Sequence, residues 1–280
     1  MALLQVNFVS ESLMRSVTMQ VILPVDKLPM PGQPRSETPD SGFPTLYLLH
    51  GVLGNYTDWV SGTCVQRWAE EKGLAVVMPS GENMFYVDQP AANNYYGEFI
   101  GRELVEITRR MFPLSRRRED TFIAGLSMGG YGAIRNGLKY HETFSRIAGL
   151  SSAVITGDIA KRGNDAPVFF ERRDYAEAVF GDLTKVDGGD KDPYALLKKL
   201  AEEKAAMPKI YMACGTEDSH LPANRKLRDA FIEAGADLTW EEAPGGHDWD
   251  FWNSHIKRVI DWLPLFREAD AGMNSGNVGI

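Results

Sequence analysis

The sequence predicts an α/β protein with a mostly parallel central sheet and helices on both faces. Two observations carry this prediction. Short apolar runs recur along the chain, such as TLYLLHG at 45–51 and LAVVMPS at 74–80, and they are typical of strands buried on both faces. Segments with a helical spacing of apolar residues separate such runs, as in EFIGRELVEITRRMF at 98–112. Strands that alternate with helices in this way form parallel sheets with right-handed connections.

The remaining elements follow in chain order. Strands are predicted for two runs near the start of the sequence, because both are rich in β-branched and apolar residues. These runs are LLQVNFV at 3–9 and SVTMQVIL at 16–23. Six prolines between 24 and 44 predict a surface loop, because proline cannot continue the ladder of a strand. Further strands are predicted at TFIAGLS (121–127), SRIAGLSS (145–152), PKIYMACG (208–215) and DLTWEEA (237–243), and further helices at 62–72, 129–140, 221–235 and 253–267.

One segment, 153–206, interrupts this alternation. It is polar and rich in Asp and Gly, with short apolar pieces such as PVFF and YAEAVF. We interpret it as a cap-like insertion over one end of the sheet, and not as a separate domain. The sequence therefore predicts a single domain over 1–268, followed by a loose C-terminal tail over 269–280.

Composition and charge exclude several classes of protein. The chain has 280 residues, 44% of them hydrophobic, with a formal net charge of −8 and a pI of about 5.2. Such acidity disfavours binding to nucleic acid or to anionic membranes. The N-terminus has no signal-peptide pattern and no stretch approaches 18 apolar residues, so we expect a cytoplasmic protein without a membrane span.

The two cysteines, Cys64 and Cys214, fit neither a zinc site nor a redox motif by their spacing. We expect two small buried residues. A disulfide stays open for an oxidising compartment.

Glycines surround one serine, Ser127, at the point where a predicted strand meets a predicted helix. The order strand, Gly-x-Ser-x-Gly, helix is that of a nucleophile elbow. Side chains at Gly125 and Gly129 would collide with the neighbouring strand and helix, and the helix N-terminus favours developing negative charge. The alternative is a glycine-rich turn in which the serine only caps the helix.

A nucleophilic serine needs a base and an acid, which follow an elbow in the order acid, then histidine. Three histidines follow the serine. His247 lies in APGGHDWDFW, a loop between the last predicted strand and the last predicted helix, where a base is expected. His255 falls inside that helix and is expected to pack there or to face solvent. His220 leaves little room for an acid upstream, so it is the less favoured base. The acid is expected after PKIYMACG, where chemistry leaves Glu217 and Asp218 as equal candidates.

The oxyanion of a tetrahedral intermediate requires two convergent N–H donors. One is the backbone N–H of Met128, directly after the serine. The second is expected in the loop that follows TLYLLHG, where the bare backbone of Gly51 lets the N–H of Val52 face the site. His50, at the strand end, is expected to have a structural role in this loop.

With these parts in place, the chain resembles the esterase D branch of the α/β-hydrolases. This branch includes tributyrin esterases, S-formylglutathione hydrolases, and the feruloyl and acetyl-xylan esterases of carbohydrate esterase family one. The resemblance is greatest to bacterial tributyrin-esterase-like proteins, and it runs over most of residues 3–265. The matching stretches are LLQVNFVSESLMRSVTMQVILP, LLHGVLGNYTDWV, GLSMGGYGA, CGTEDSHL and GGHDWDFWNSHI.

The resemblance implies the α/β-hydrolase fold, with Ser127 as nucleophile, Asp218 as acid and His247 as base. It also implies Val52 and Met128 as oxyanion donors and no metal or other cofactor. The implied activity is that of a serine carboxylesterase on short-chain acyl (acetyl to butyryl), feruloyl or acetyl-carbohydrate esters. The alternatives are a thioesterase of the S-formylglutathione type, an acyltransferase as in the mycolyltransferases that share the fold, and an inactive hydrolase that serves as a binding module.

The substrate contacts are the least determined part of this interpretation. The cap segment is the region that departs most from the family. We expect its aromatic residues Phe169 and Phe170 either to pack the cap onto the body or to wall an acyl pocket. Trp59 or Tyr95 is expected to flank an aromatic acyl group or a sugar. The expected partner is a small-molecule ester, and a homo-oligomer stays open.

Overall fold

The computed structural model describes residues 1–26, 28–29, 38–265 and 272–273. Eight strands form its main sheet. In chain order these strands are β1 (Ala2–Ser10), β2 (Arg15–Leu23), β3 (Thr45–Leu49), β4 (Ala75–Pro79), β5 (Thr121–Leu126), β6 (Arg146–Leu150), β7 (Lys209–Gly215) and β8 (Leu238–Ala243). Their spatial order is β1-β2-β4-β3-β5-β6-β7-β8. Two short antiparallel pairs lie outside it, Asp88–Gln89 with Asn94–Tyr95 and Leu28–Pro29 with Gly272–Met273.

The sheet is parallel from β4 to β8, and only β2 is antiparallel to its neighbours β1 and β4. Strands β3, β4 and β5 are buried along their whole length, as expected for parallel strands covered on both faces. The predicted fold class is confirmed.

Helices cover both faces of the sheet. In chain order they are α1 (Asp58–Gly62), α2 (Val65–Glu71), α3 (Leu104–Met111), α4 (Met128–Lys139), α5 (Arg173–Phe180), α6 (Pro193–Glu202), α7 (Leu221–Glu233) and α8 (Trp249–Trp262). A helical turn at Tyr96–Glu98 and a π-turn at Phe99–Glu103 lead into α3. Shorter 3₁₀ turns lie at Pro90–Ala92, Arg118–Asp120, Thr156–Lys161, Phe169–Glu171 and Leu183–Lys185.

Two predicted helices have the wrong bounds, each for a local reason. The helix predicted at 62–72 is divided, because Thr63 between α1 and α2 has an extended backbone. The helix predicted at 253–267 begins at Trp249, where Asp248 caps it by accepting a 2.9 Å hydrogen bond from the Phe251 N–H. It ends at Trp262, two residues before Pro264, and proline disfavours helical backbone in the residue before it.

The alternation of side chains along β3 divides the core into two layers. Tyr47 and Leu49 belong to the layer that includes Ile134 of α4, whereas Leu46 and Leu48 belong to the layer that includes residues of α2 and α8. Successive side chains of a strand point to opposite faces, so one short apolar run contributes to both layers. The parallel strands are therefore packed against a hydrophobic layer on each face of the sheet.

The segment 153–206 contains α5 and α6 and packs onto the body. Phe180 is buried, with its ring centre 5.4 Å from that of Phe85. The fully buried guanidinium of Arg135 on α4 donates a 2.6 Å hydrogen bond to Asp190. This segment is therefore attached to the helix that begins at the elbow. The division into one domain with a cap and a tail stays a prediction, and the predicted tail lies outside the described residues apart from Gly272–Met273.

Both cysteines are free thiols, and the prediction that both are buried is wrong for one of them. Cys214 is buried in β7, but Cys64 is exposed because it precedes the first turn of α2 at the surface. Within the described parts of the chain, none of the helices combines the length and the apolar character that a bilayer span requires.

Candidate active site

The serine of the predicted elbow lies between β5 and α4 in a strained backbone conformation. Ser127 has φ of 52° and ψ of −118°, values that non-glycine residues rarely adopt. A Cβ atom at Gly125 would lie 2.2 Å from the carbonyl oxygen of Gly129, and one at Gly129 would lie 2.4 Å from that of Leu49. These contacts are with backbone atoms, which cannot move aside. The two glycines therefore allow the strand and the helix to meet at this sharp turn.

Three side chains form a hydrogen-bonded chain that ends at this serine. The Nε2 atom of His247 lies 2.9 Å from the Ser127 Oγ, and its Nδ1 atom lies 2.8 Å from the Asp218 Oδ2. Each of the three follows the carboxyl end of a parallel strand: β5, β7 and β8. Those ends meet along one edge of the sheet, the usual location of ligand sites in such folds.

The two candidate acids have different surroundings. Asp218 is buried and also accepts a 2.8 Å hydrogen bond from the His220 N–H. Burial would raise its pKa, but the hydrogen bonds from His247 and His220, together with the nearby Ser151 hydroxyl, outweigh burial and lower the pKa to about 2. Glu217 is exposed and accepts a hydrogen bond from the Gly245 N–H instead. Only Asp218 contacts the histidine.

The loop after β3 is fixed by His50. The Nδ1 atom of this buried ring lies 2.7 Å from the Gly51 carbonyl, and its Nε2 accepts a 2.8 Å hydrogen bond from the Gly81 N–H. Burial lowers the pKa of His50, although the Gly51 carbonyl opposes that shift, and a ring that accepts at one nitrogen must be neutral. The geometry agrees with the structural role expected for His50.

The two expected oxyanion donors lie beside the serine. A Cβ atom at Gly51 would stand 3.4 Å from the Ser127 Cβ, so the loop after β3 approaches the nucleophile closely. The N–H of Val52 donates to no acceptor among the described residues. Met128 is the first residue of α4, where N–H groups have no intrahelical acceptor. The use of these two N–H groups as oxyanion donors stays a prediction.

The other two histidines after the serine have different positions. His255 is buried in α8 and stacks on Phe251 with 3.8 Å between ring centres, in agreement with its expected packing role. The His220 ring lies 4.9 Å from that of His247, centre to centre, but His247 is the histidine that contacts the serine.

A cavity of about 560 Å³ opens at Ser127. Of the four aromatic residues predicted to contact substrate, Phe170 lines this cavity. The other three are not among its lining residues, and contact of any of the four with substrate stays a prediction. Trp59 is 1% exposed and donates a hydrogen bond to the Leu49 carbonyl from behind the loop. Phe169 is 40% exposed and packs against Phe170 from outside, and Tyr95 lies in the short strand that pairs with Asp88.

Sequence reasoning missed several residues of the cavity wall. Phe85, Arg162, Trp249 and Trp252 all line it. The two tryptophans follow His247 closely in the sequence, within the stretch GGHDWDFW, and this proximity could have identified them as residues of the site. Phe85 lies in an irregular turn and has a positive φ of 50°, and no periodic pattern marks such a position. Among the described residues, no three His, Cys, Asp or Glu side chains are grouped so that they could hold a metal ion.

Comparison with known proteins identifies the family. The chain matches the family model described as putative esterase over residues 10–263. The chain belongs to this esterase family. It is also 47% identical over 264 residues, 94% of this chain and 98% of the relative, to an acetyl esterase of Caldicellulosiruptor saccharolyticus.

Two solved structures agree with this assignment. The esterase is 31% identical to the S-formylglutathione hydrolase FrmB of Staphylococcus aureus, with a TM-score of 0.79, and 31% identical to the serine hydrolase FphF of the same organism, with a TM-score of 0.80. Each comparison covers 94% of this chain and 98% of the other. The resemblance to this group of esterases, the α/β-hydrolase fold and the activity of a serine esterase are confirmed.

Proposed function

We propose that this esterase hydrolyses short-chain carboxylic esters, from acetyl to butyryl, through an acyl-enzyme on Ser127. The observation that carries the proposal is the unbroken hydrogen-bonded chain Asp218–His247–Ser127 at the wall of the cavity. A buried acid, a histidine and a serine at these distances are the parts that nucleophilic acyl transfer requires.

In the first half of the reaction, the Ser127 Oγ attacks the ester carbonyl carbon while its proton passes to the His247 Nε2. Asp218 accepts the hydrogen bond from Nδ1, which selects the reactive tautomer and stabilises the imidazolium. The electron pair of the carbonyl moves onto oxygen, where the N–H groups of Val52 and Met128 stabilise the negative charge.

Collapse of this intermediate expels the alcohol. The C–O bond of the ester breaks, the leaving oxygen takes the proton from His247, and the acyl group stays on Ser127. A water molecule then repeats the sequence: His247 accepts its proton, the hydroxide adds to the acyl carbon, and the serine leaves with the proton that His247 returns. The products are the free acid and the regenerated enzyme.

The walls of the cavity support a short acyl group. Phe85, Leu126, Ile155 and Phe170 give this cavity apolar surface. Each buried methylene contributes at most about 0.8 kcal/mol, so kcat/KM is expected to rise by a factor of roughly 10 or less from acetyl to butyryl. It should then fall when the chain outgrows the wall.

The test has two measurements. The first is kcat/KM for p-nitrophenyl esters of two to sixteen carbons, in which an optimum at twelve or more carbons would contradict the short-acyl proposal. The second is mass spectrometry of the enzyme quenched during turnover of a slow ester, where the acyl mass should lie on the peptide that contains Ser127. Acyl mass on another residue would rule out the assigned nucleophile.

A second candidate is hydrolysis of S-formylglutathione, favoured by the 31% identity to FrmB over most of both chains. The same enzyme preparation should be assayed with S-formylglutathione and with p-nitrophenyl acetate. A kcat/KM at least tenfold higher for the thioester would make the thioesterase the better description. Feruloyl and acetyl-carbohydrate esters belong in the same panel, and the cytoplasmic location stays a prediction of the sequence.

A further inference from the structure

A second histidine beside the proposed base has a side chain with no assigned role. Both polar groups of the His220 backbone are hydrogen-bonded: the N–H donates to the Asp218 Oδ1 at 2.8 Å, and the carbonyl accepts from Asn224. Its ring makes no hydrogen bond to any residue that the structure describes, and it lines the cavity. The side chain can therefore be replaced while the bond from the backbone to the acid is kept.

Two rings flank His247 at the same distance. The centre of the His220 ring lies 4.9 Å from that of His247, and so does the centre of the Trp252 ring. The two neighbours differ in polarity. The indole nitrogen of Trp252 is fully buried, whereas His220 is a polar ring that lines the cavity and neither of its nitrogens is fully buried without a partner. One side of the base is therefore polar and the other apolar.

The position of His220 relates it to the alcohol half of the ester. In the proposed mechanism the leaving oxygen must come within hydrogen-bond distance of the His247 Nε2, because it takes its proton there. A hydroxyl on the carbon next to the one that carries this oxygen lies only three bonds further. A ring whose centre is 4.9 Å from that of His247 is within reach of such a hydroxyl.

We propose that His220 hydrogen-bonds a hydroxyl group vicinal to the ester oxygen, so that the enzyme prefers monoesters of vicinal diols and polyols to esters of simple alcohols. This inference rests on the proposed function, because it takes His247 as the group that protonates the leaving oxygen. His220 would thus determine specificity for the alcohol.

The protonation state of His220 suits this role. Burial lowers its pKa and the nearby His247 lowers it further, while Asp218 opposes both effects. A neutral imidazole offers one donor and one acceptor, which matches a hydroxyl group. Two of the other polar side chains at the wall are already engaged: Arg162 donates to the Phe170 carbonyl at 2.8 Å, and Asp58 accepts from the Asn55 N–H at 3.2 Å.

The experiment compares two acetates that differ only by hydroxyl against methyl: 2-hydroxyethyl acetate and propyl acetate. The measured quantity is the ratio of their kcat/KM values. One neutral hydrogen bond corresponds to about a 3- to 10-fold effect, so His220→Phe should lower the ratio by about that factor. Because every variant is measured with the same two esters, their intrinsic difference in reactivity cancels when the ratios of the variants are compared.

Two further variants separate recognition from packing. Trp252→Phe disturbs the other ring at the same distance from His247 but removes no polar atom from the cavity wall, so the ratio should stay at the wild-type value. His220→Gln keeps a donor and an acceptor and should retain most of the preference. Should His220→Phe fail to fold, as judged by circular dichroism, His220→Leu replaces it in the comparison.

An unchanged ratio in the apolar His220 variants, with both acetates still hydrolysed, would overturn the inference while leaving the proposed function intact. An equal loss of preference in Trp252→Phe would also overturn it, since the effect would then come from packing around His247. If the wild type hydrolyses neither acetate, or if Ser127→Ala remains active on them, the proposed function fails and the inference fails with it.

Discussion

The same pentapeptide, Ile-Ala-Gly-Leu-Ser, occurs twice in this chain, at 123–127 and at 147–151. The two copies lie in neighbouring parallel strands, β5 and β6, and pair in register from Ile123–Ile147 to Leu126–Leu150. Both end in a serine with left-handed backbone, φ of 52° at Ser127 and 47° at Ser151. The local sequence and the φ angle of the serine are alike, yet the two serines have different surroundings.

The difference lies in what surrounds each hydroxyl. Ser127 is 9% exposed, faces the cavity and contacts His247. Ser151 is fully buried, and its hydroxyl has no well-formed hydrogen bond within the described part of the chain, although it lies near enough to Asp218 to help lower the pKa of that acid. A strained turn at a strand end is therefore not enough to make a nucleophile. Access to the cavity and a histidine at hydrogen-bond distance are also needed.

The largest expected effect tests this contrast directly. Ser127→Ala should lower kcat by roughly 10⁴–10⁶, because the hydrogen-bonded residues act as a unit. Ser151→Ala removes a buried hydroxyl that lies near the acid but does not line the cavity, and it should cost a factor of about 10 or less, the value of one neutral hydrogen bond. Both variants are measured with p-nitrophenyl acetate and checked by thermal unfolding. Equal losses in two folded variants would refute the distinction.

The assignment of Asp218 as the acid can be tested against its sequence neighbour, Glu217. Asp218→Asn should lower kcat by about 10⁴, since an amide in place of the carboxylate favours the wrong tautomer of His247. Glu217→Gln is the matched control, because Glu217 binds only the Gly245 N–H, and its kcat should stay near the wild-type value. The assignment is wrong if the control is the inactive variant.

The residue two positions after each serine sharpens the comparison. In the first copy it is Gly129, where a Cβ atom would lie 2.4 Å from the Leu49 carbonyl oxygen and 2.5 Å from that of His50. Gly129→Ala should therefore destabilise the fold by about 1–3 kcal/mol and lower activity by moving the loop after β3. In the second copy it is Ala153, and Ala153→Gly should cost no more than about 0.5–1 kcal/mol. Urea unfolding measures both changes, and a smaller loss in Gly129→Ala would contradict the steric account.

The smallest expected effect is on acid stability. The folded-state pKa of Asp218 is lowered to about 2, so its ionised form favours the folded state above about pH 4. As the pH falls from about 4 to 2, the unfolded chain takes up this proton first and the contribution is lost. The difference in unfolding free energy between the wild type and Asp218→Asn should therefore shrink over this interval. A difference that grows on acidification would contradict the lowered pKa.

Much of the fold follows from short-range patterns. Continuous apolar runs and helical spacing predict the strands and most helices to within a few residues, because these patterns depend on neighbours in the chain. The boundaries of the last helix were less predictable, since they depend on the cap at Asp248 and on Pro264. The elbow was predictable for the same local reason, as the strand, the two flanking glycines and the helix are contiguous.

The sequence by itself determined the order of the elements, the elbow at Ser127, the loop histidine His247 and a choice between two acids. The family resemblance favoured Asp218, but only the tertiary structure shows that Asp218 and not Glu217 contacts the histidine. The tertiary structure also decided that Phe170 lines the cavity while Trp59 packs behind it, and that one copy of Ile-Ala-Gly-Leu-Ser meets a histidine while the other is buried. The physical reason is distance along the chain: Ser127 and His247 are 120 residues apart, and no local pattern encodes which side chains meet when separate strands are brought to the same edge of a sheet.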